Sequence, residues 1–184
     1  MQQFSFKAGG LKVIAGWVVV FLIRLVPFRP PNVEPMLATL MPFAKAYGVF
    51  TSFLFGFLGI GLYDLASGKV GQWTLITGAA YGVVGISAHY FFRRRTASVK
   101  NFLSFGIVAT LAYDAVTGLS VGPLFFGQSF MEALMGQIPF TLLHLGGTIG
   151  FSLILSPVLY RWVVMNHAFE IPVLIGKLRA IRSV

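Results

Sequence analysis

Long apolar stretches separated by short polar ones run along almost the whole chain. Six of these stretches are delimited by charged residues or turn residues. They are Lys12–Pro27, Pro35–Tyr47, Gly48–Ala66, Gln72–Phe92, Asn101–Thr117 and Pro139–Tyr160. A helix rises about 1.5 Å per residue and needs about 20 residues to cross a hydrocarbon core about 30 Å thick. The pattern therefore predicts an all-α membrane protein, a compact bundle of about six transmembrane helices in a single domain, residues 1–184.

The second stretch, Pro35–Tyr47, is the shortest of the six and contains Pro42. A wholly helical segment of that length reaches only about 20 Å, so we expect it to be kinked, tilted or re-entrant. Two arrangements follow from this uncertainty. Either six helices cross the membrane and the N-terminus lies inside, or five cross, Pro35–Tyr47 does not, and the N-terminus lies outside.

The composition agrees with a membrane location, since 57% of the residues are hydrophobic and only 10% are charged. An ordinary soluble domain carries about 25% charged residues. The chain has no cysteine, which excludes disulfides, thiolate metal sites and thiol catalysis.

The basic residues, which give a net charge of +9, are clustered between the apolar stretches. In the six-helix arrangement both termini are cytoplasmic, as is the basic tail 161–184, and the outer side keeps only Arg24, Arg29 and Lys69. The five-helix arrangement gives an equally strong bias, so charge does not choose between them. Because the positive-inside rule accounts for these clusters, nucleic acid is not predicted as a partner.

A short repeat links two of the predicted helices. Tyr63-Asp64 is followed by Ser67-Gly68, and Tyr113-Asp114 is followed by Thr117-Gly118. The pattern predicts two helices that end in the same way, each with a glycine as a left-handed C-cap. The aspartates are expected to accept backbone N–H groups of the following loops, or alternatively to contact a ligand.

Polar residues on the predicted outer side are the candidates for binding a ligand: Arg24, Arg29, Asn32, Glu34, Asp64, Trp73, Asp114, Gln137 and His144. Several have structural alternatives. Arg24 can extend towards the interface, and Trp73 can belong to an aromatic belt. If Pro139 is the first helical position, His144 lies on the second turn of the last span, where it either lines a pocket or is satisfied by a neighbouring helix. Ser129-Phe-Met-Glu132 fits a capping box.

No catalytic motif, phosphate-binding loop or metal-binding cluster is evident, so an enzyme is not the leading prediction and no cofactor is expected. A membrane enzyme that uses Asp64, Asp114 and His144 is one alternative. A scaffold protein without a small ligand is another.

Several of these runs together resemble a known family. They are Arg29-Pro30-Pro31-Asn32-Val33-Glu34-Pro35, the segment Gly59–Gly71, Trp73-Thr74-Leu75, Tyr81-Gly82 with Gly85, Asp114-Ala115-Val116-Thr117-Gly118 and Pro139-Phe140-Thr141-Leu142-Leu143-His144. Over roughly residues 10–160 the chain is similar to the substrate-binding (S) components of energy-coupling factor (ECF) transporters.

The resemblance implies a six-helix subunit in the bacterial cytoplasmic membrane that captures a vitamin or another organic micronutrient from outside. It also implies lipid contact, a transmembrane coupling subunit and two ATPase subunits as partners. Two departures matter. The first stretch lacks the Ala-x-x-x-Ala surface that the family uses for its coupling subunit, and the N-terminal Met-Gln-Gln-Phe-Ser lacks the histidines of the metal-specific members.

Overall fold

The computed structural model describes residues 6–182, and nearly all of that range is helical. The α-helices are α1 (Phe6–Arg24), α2 (Met36–Ala46), α3 (Val49–Ala66), α4 (Gln72–Arg93), α5 (Val99–Phe125), α6 (Phe130–Leu159) and α7 (Ile171–Arg182). A π-helical turn, Tyr160–Val164, continues α6, and a 3₁₀ turn, His167–Phe169, precedes α7. No strand is present between residues 6 and 182, so the all-α prediction is confirmed.

Four helices of the described range are long and apolar enough to cross a membrane: α3, α4, α5, and α6 together with its π-helical turn. Their outward faces carry large apolar side chains, such as Val108, Leu142 and Ile154, that no other part of the described chain covers. Exposed apolar surface on this scale is compatible with lipid contact and not with water. The chain is a helical membrane protein.

Helix α2 lies at the centre of the bundle and is enclosed by the other helices. It contacts each of α1, α3, α4, α5 and α6, and every one of its residues except Lys45 is buried. Its 11 residues reach only about 16 Å. The short apolar stretch that the sequence indicated is therefore a buried helix at the centre of the bundle, and it contains Pro42.

Helices α3 and α4 pack closely because glycines at their contact leave no side chain between the two backbones. A Cβ atom on Gly56 would lie 2.3 Å from the carbonyl oxygen of Tyr81, and one on Gly85 would lie 2.1 Å from that of Ser52. Gly78 and Gly82 of α4 face Phe57 and Phe53 of α3 in the same seam.

Three of the predicted helices have bounds that differ clearly from those of the structure. The first helix begins at Phe6 instead of Lys12 and ends at Arg24 instead of Pro27. The fifth helix continues to Phe125 instead of ending at Thr117, and the sixth begins at Phe130 instead of Pro139. Proline is tolerated within membrane helices, where neighbours satisfy the freed backbone groups, so Pro139 is interior and not a start signal. The capping box is confirmed, since the Ser129 N–H donates to Glu132 Oε2 at 2.8 Å.

Basic residues gather at the end of the bundle where α2 ends. Lys45 at the end of α2 donates to the carbonyl oxygens of Phe92 and Arg95 at 2.8 and 2.7 Å. Lys12, in the first half of α1, donates to the carbonyl oxygen of Val164 at 2.9 Å. Helices α1 to α6 therefore alternate in direction between the two ends of the bundle. The tail folds back as α7, while residues 183–184 lie outside the described range.

Candidate ligand-binding site

A cavity of about 170 Å³ lies at the end of the bundle opposite to these lysines. It is formed where α1 and α3 end, where α4 begins, and where α5 and α6 pass. The residues that line it are Arg24, Asn32, Glu34, Ile60, Asp64, Trp73, Thr77, Tyr81, Tyr113, Thr117, Phe140 and His144.

Six of the nine predicted site residues line this cavity: Arg24, Asn32, Glu34, Asp64, Trp73 and His144. Asp114 lies behind the wall, in contact with His144. Arg29 and Gln137 do not line the cavity. Residues that are far apart in the sequence thus meet at one cavity, while Arg29 and Gln137 make their contacts outside it.

Arg24 is the last residue of α1 and is held between two neighbours. Its Nη2 atom lies 3.2 Å from Glu34 Oε1, and its guanidinium lies 3.9 Å from the centre of the Tyr63 ring. Its Nε and Nη1 atoms are buried without a hydrogen-bond partner in the described chain. Two donor atoms of Arg24 beside the cavity are therefore available to an acceptor.

The loop between α1 and α2 is shaped by its own backbone contacts. Arg29 donates from Nη1 to the carbonyl oxygen of Val33, and Asn32 adopts a left-handed conformation with a φ of 64°. Gly147 of α6 lets this loop approach, since a Cβ atom there would lie 2.8 Å from Val33 Cα. Arg29 thus orders the loop that delivers Asn32 and Glu34 to the cavity.

His144 and Asp114 form a hydrogen-bonded pair between α6 and α5. His144 Nδ1 lies 2.8 Å from Asp114 Oδ1, and the two side chains are 3% and 1% exposed. An ionised carboxylate only accepts, so Nδ1 carries the proton. The other ring nitrogen, Nε2, lies 3.4 Å from the Tyr81 hydroxyl, which is longer than an ordinary hydrogen bond. Both readings of His144 hold, because it has a helix partner and also lines the cavity.

The two aspartates of the repeat have different environments. Asp64 accepts from the Thr74 hydroxyl at 2.7 Å, and the glycine that follows its helix, Gly68, has a φ of 67° as predicted. Gly118 instead lies inside α5, where a Cβ atom would lie 1.7 Å from Gln137 Oε1. The prediction that both helices end alike is therefore wrong. The prediction that loop N–H groups hold the aspartates is wrong as well, because Asp64 accepts from a side-chain hydroxyl and Asp114 pairs with His144.

Aromatic rings form much of the remaining wall. The centres of the Tyr81 and Tyr113 rings lie 4.4 Å apart, and Phe140 meets His144 edge to face at 6.3 Å. Six lining residues were not predicted as site residues from the sequence: Ile60, Thr77, Tyr81, Tyr113, Thr117 and Phe140.

A signal for most of these residues was present, because positions four apart share a helix face. Thr77 and Tyr81 follow Trp73 at that spacing, and Phe140 precedes His144 by the same interval. Extending each predicted residue along its helix face by one turn recovers a large part of the wall.

Gln137 belongs to a neighbouring surface hollow on the same end of the protein. Its Nε2 atom donates to Thr141 Oγ1 at 3.0 Å, and its side chain occupies the space beside Gly118. Gln137 therefore packs α6 against α5 outside the cavity.

Within residues 6–182 no group of three or more His, Asp or Glu side chains is placed to hold a metal ion. No family model, curated protein or solved structure matches the chain. The ECF resemblance therefore stays a sequence-based expectation, and the chemistry of the cavity carries the functional inference.

Proposed function

We propose that this protein is the substrate-binding membrane subunit of an ECF-type transporter, and that it captures a vitamin or another organic micronutrient for ATP-driven uptake. One observation carries the proposal. Arg24, Glu34, Asp64 and His144 come from four separate parts of the chain and converge on one cavity at the end of a membrane helix bundle.

Charged groups within a membrane bundle are costly and are usually retained for a function. A scaffold has no need to place an arginine with two unpartnered donors beside a cavity. A ligand acceptor would satisfy those donors, and the surrounding rings would contact its apolar part. Capture of a small organic molecule accounts for both features.

The proposed orientation follows from the opposite ends of the bundle. The cavity is at one end, and Lys12, Lys45 and Arg95 are at the other. The positive-inside rule puts the basic end in the cytoplasm. The cavity then opens towards the outside, as uptake across a bacterial cytoplasmic membrane requires, with both termini inside.

ATP-driven uptake also needs partners, since the sequence contains no phosphate-binding loop. On this proposal a transmembrane coupling subunit and two ATPase subunits supply the motion. Repeated purification of the protein as a solitary monomer that still transports its substrate would exclude this arrangement.

The decisive experiment is to identify small molecules that co-purify with the protein, by mass spectrometry. Trp73 lines the cavity and is 47% exposed, so Trp73→Ala should reduce ligand recovery and leave the fold intact. Trp162→Ala is the matched control, because Trp162 is exposed in the π-helical turn that follows α6, at the other end of the bundle. Equal recovery of the same molecules from both variants would contradict the proposal, as would recovery of none from the native protein.

A membrane enzyme is a second candidate, and the Asp114–His144 hydrogen bond favours it. A carboxylate that fixes the tautomer of a histidine is a common way to prepare a general base. Incubation of the purified protein with lipid-linked substrates would test this function. Product formation that Asp114→Asn abolishes would support catalysis over capture.

A further inference from the structure

We infer that the cavity is selective for a ring-sized organic molecule that carries a positive charge, with Asp64 as the partner of that charge. This inference rests on the proposed function and specifies its substrate class. Three properties of the cavity support it, namely its volume, the sum of its charges and its aromatic wall.

The volume limits the ligand to about one ring. The cavity measures about 170 Å³, and an engineered protein cavity of about 150 Å³ accommodates benzene. A single ring with small substituents therefore fits inside the cavity.

The charges of the site have a negative sum. Arg24 is the one obligatory cation of the lining, against the carboxylates of Glu34 and Asp64. Asp114 adds a third carboxylate behind His144. The lining itself therefore has one more carboxylate than it has guanidinium groups, and Arg29, which orders the loop between α1 and α2, does not line the cavity. A cationic ligand offsets this excess, whereas an anionic ligand increases it.

Asp64 is the carboxylate that has no cation beside it. Glu34 pairs with Arg24, and Asp114 faces His144. Asp64 accepts only the neutral Thr74 hydroxyl, and no lysine, arginine or histidine of the described chain lies within ion-pair distance of it. The ligand's positive group is therefore expected next to Asp64.

The wall near Asp64 suits a cation as well as a ring. Trp73 directly precedes Thr74, the hydrogen-bond partner of Asp64, and lines the same cavity. Tyr81, Tyr113 and Phe140 complete an aromatic surface. Aromatic faces attract cations, and tryptophan does so most strongly. The unpartnered donors of Arg24 remain for an oxygen acceptor elsewhere on the ligand.

The test uses three probes of similar size and different charge: benzylamine, benzyl alcohol and benzoate. Each is titrated into the purified native protein, and Kd is obtained from the ligand-dependent rise of Tm. Benzylamine should bind about tenfold or more tightly than benzyl alcohol, and benzoate should bind more weakly than either.

The variant Asp64→Asn isolates the charge, because an asparagine oxygen can still accept from Thr74. It should abolish the preference for benzylamine and leave the affinity for benzyl alcohol within about threefold. Glu132→Gln removes the same charge from the exposed capping box of α6 and should leave the preference unchanged. Equal effects of the two substitutions would show a general charge effect and would overturn the inference.

The outcomes separate this inference from the proposed function. Tightest binding of benzyl alcohol or benzoate, with Trp73→Ala weakening it, would keep a binding cavity and overturn the selectivity for cations. Failure of all three probes would also overturn the inference, and the co-purification experiment would then decide the proposed function independently.

Discussion

His144 Nδ1 lies 2.8 Å from Asp114 Oδ1, and this hydrogen bond joins α6 to α5 where both side chains are buried. The second oxygen of Asp114, Oδ2, has no hydrogen-bond partner in the described chain. The stability of the carboxylate therefore depends strongly on His144. The pair supports the cavity wall and orients the histidine at the same time.

We expect His144→Ala to destabilise the empty protein as well as to weaken ligand binding. Removal of one partner of a buried pair leaves a carboxylate without compensation, which costs about 3–5 kcal/mol. Asp114→Asn should cost less, because the amide oxygen can still accept from Nδ1. Thermal unfolding of the ligand-free variants in detergent measures both effects.

The double variant His144→Ala/Asp114→Asn provides the control for this prediction. Coupled residues give non-additive changes, so the double variant should be more stable than the sum of the two single losses predicts, by about 0.5–3 kcal/mol. Additive losses would show that the two side chains act independently, and the hydrogen bond would then have no energetic role.

The fold class could be predicted because it follows from the length of the apolar stretches, which is a local property of the sequence. The positions of α5 and α6 could not. Thr117-Gly118 has the composition of a helix end, but Gly118 is needed for the approach of Gln137 and the helix continues. A glycine can end a helix by its backbone conformation, or it can leave space for a neighbouring helix. Which of the two it does depends on a partner that lies on another helix.

The same limit applies to the site. Arg24, Glu34, Asp64 and His144 were found because charge is rare in membrane segments, so each stood out. Tyr81 and Tyr113 did not stand out, since aromatic residues are common along the whole chain. Sequence spacing also gave no means of separating Gln137, which packs between helices, from residues that face the cavity.

The glycines of the bundle should differ sharply in their tolerance of alanine. Gly85→Ala places a methyl group 2.1 Å from the Ser52 carbonyl oxygen, so α3 and α4 must separate and the free energy of unfolding should fall by about 1–3 kcal/mol. Gly150→Ala is the matched control, because no atom lies within 4 Å of its added Cβ. Its Tm should be unchanged or slightly higher. Equal losses in both variants would contradict the close α3–α4 seam.

The proposed orientation can be tested with single cysteines, since the chain has none of its own. Gln72 and Gln128 are exposed at the cavity end, and Thr96 is exposed at the basic end. In intact cells an impermeant maleimide should label Gln72→Cys and Gln128→Cys, while Thr96→Cys should react only after the cells are opened. Labelling of Thr96→Cys alone would mean that the cavity faces the cytoplasm.

The last prediction concerns the tail, which is held to α1 by an ion pair. Lys12 Nζ lies 3.3 Å from Glu170 Oε1, and His167 Nδ1 lies 2.8 Å from the same oxygen. Burial raises the pKa of the Glu170 carboxyl, but the hydrogen bonds from His167 and Lys12 outweigh this effect, and its pKa is lowered from the ordinary 4.5. The charged carboxylate is thus favoured in the folded protein.

Because the pKa of Glu170 is lowered in the folded protein, the contact stabilises the fold at pH values above the ordinary pKa. This stabilisation is lost as the pH falls through the lowered pKa. Glu170→Gln should therefore lower Tm at pH 7, and a contact worth about 1 kcal/mol would correspond to about 2–4 °C. The difference in Tm between the native protein and the variant should shrink as the pH falls below 4.5 and disappear once the pH lies below the lowered pKa. Arg179→Gln, an exposed change in α7, should show no such pH dependence. A difference that is equally large at pH 7 and in acid would show that Glu170 acts through packing and not through its charge.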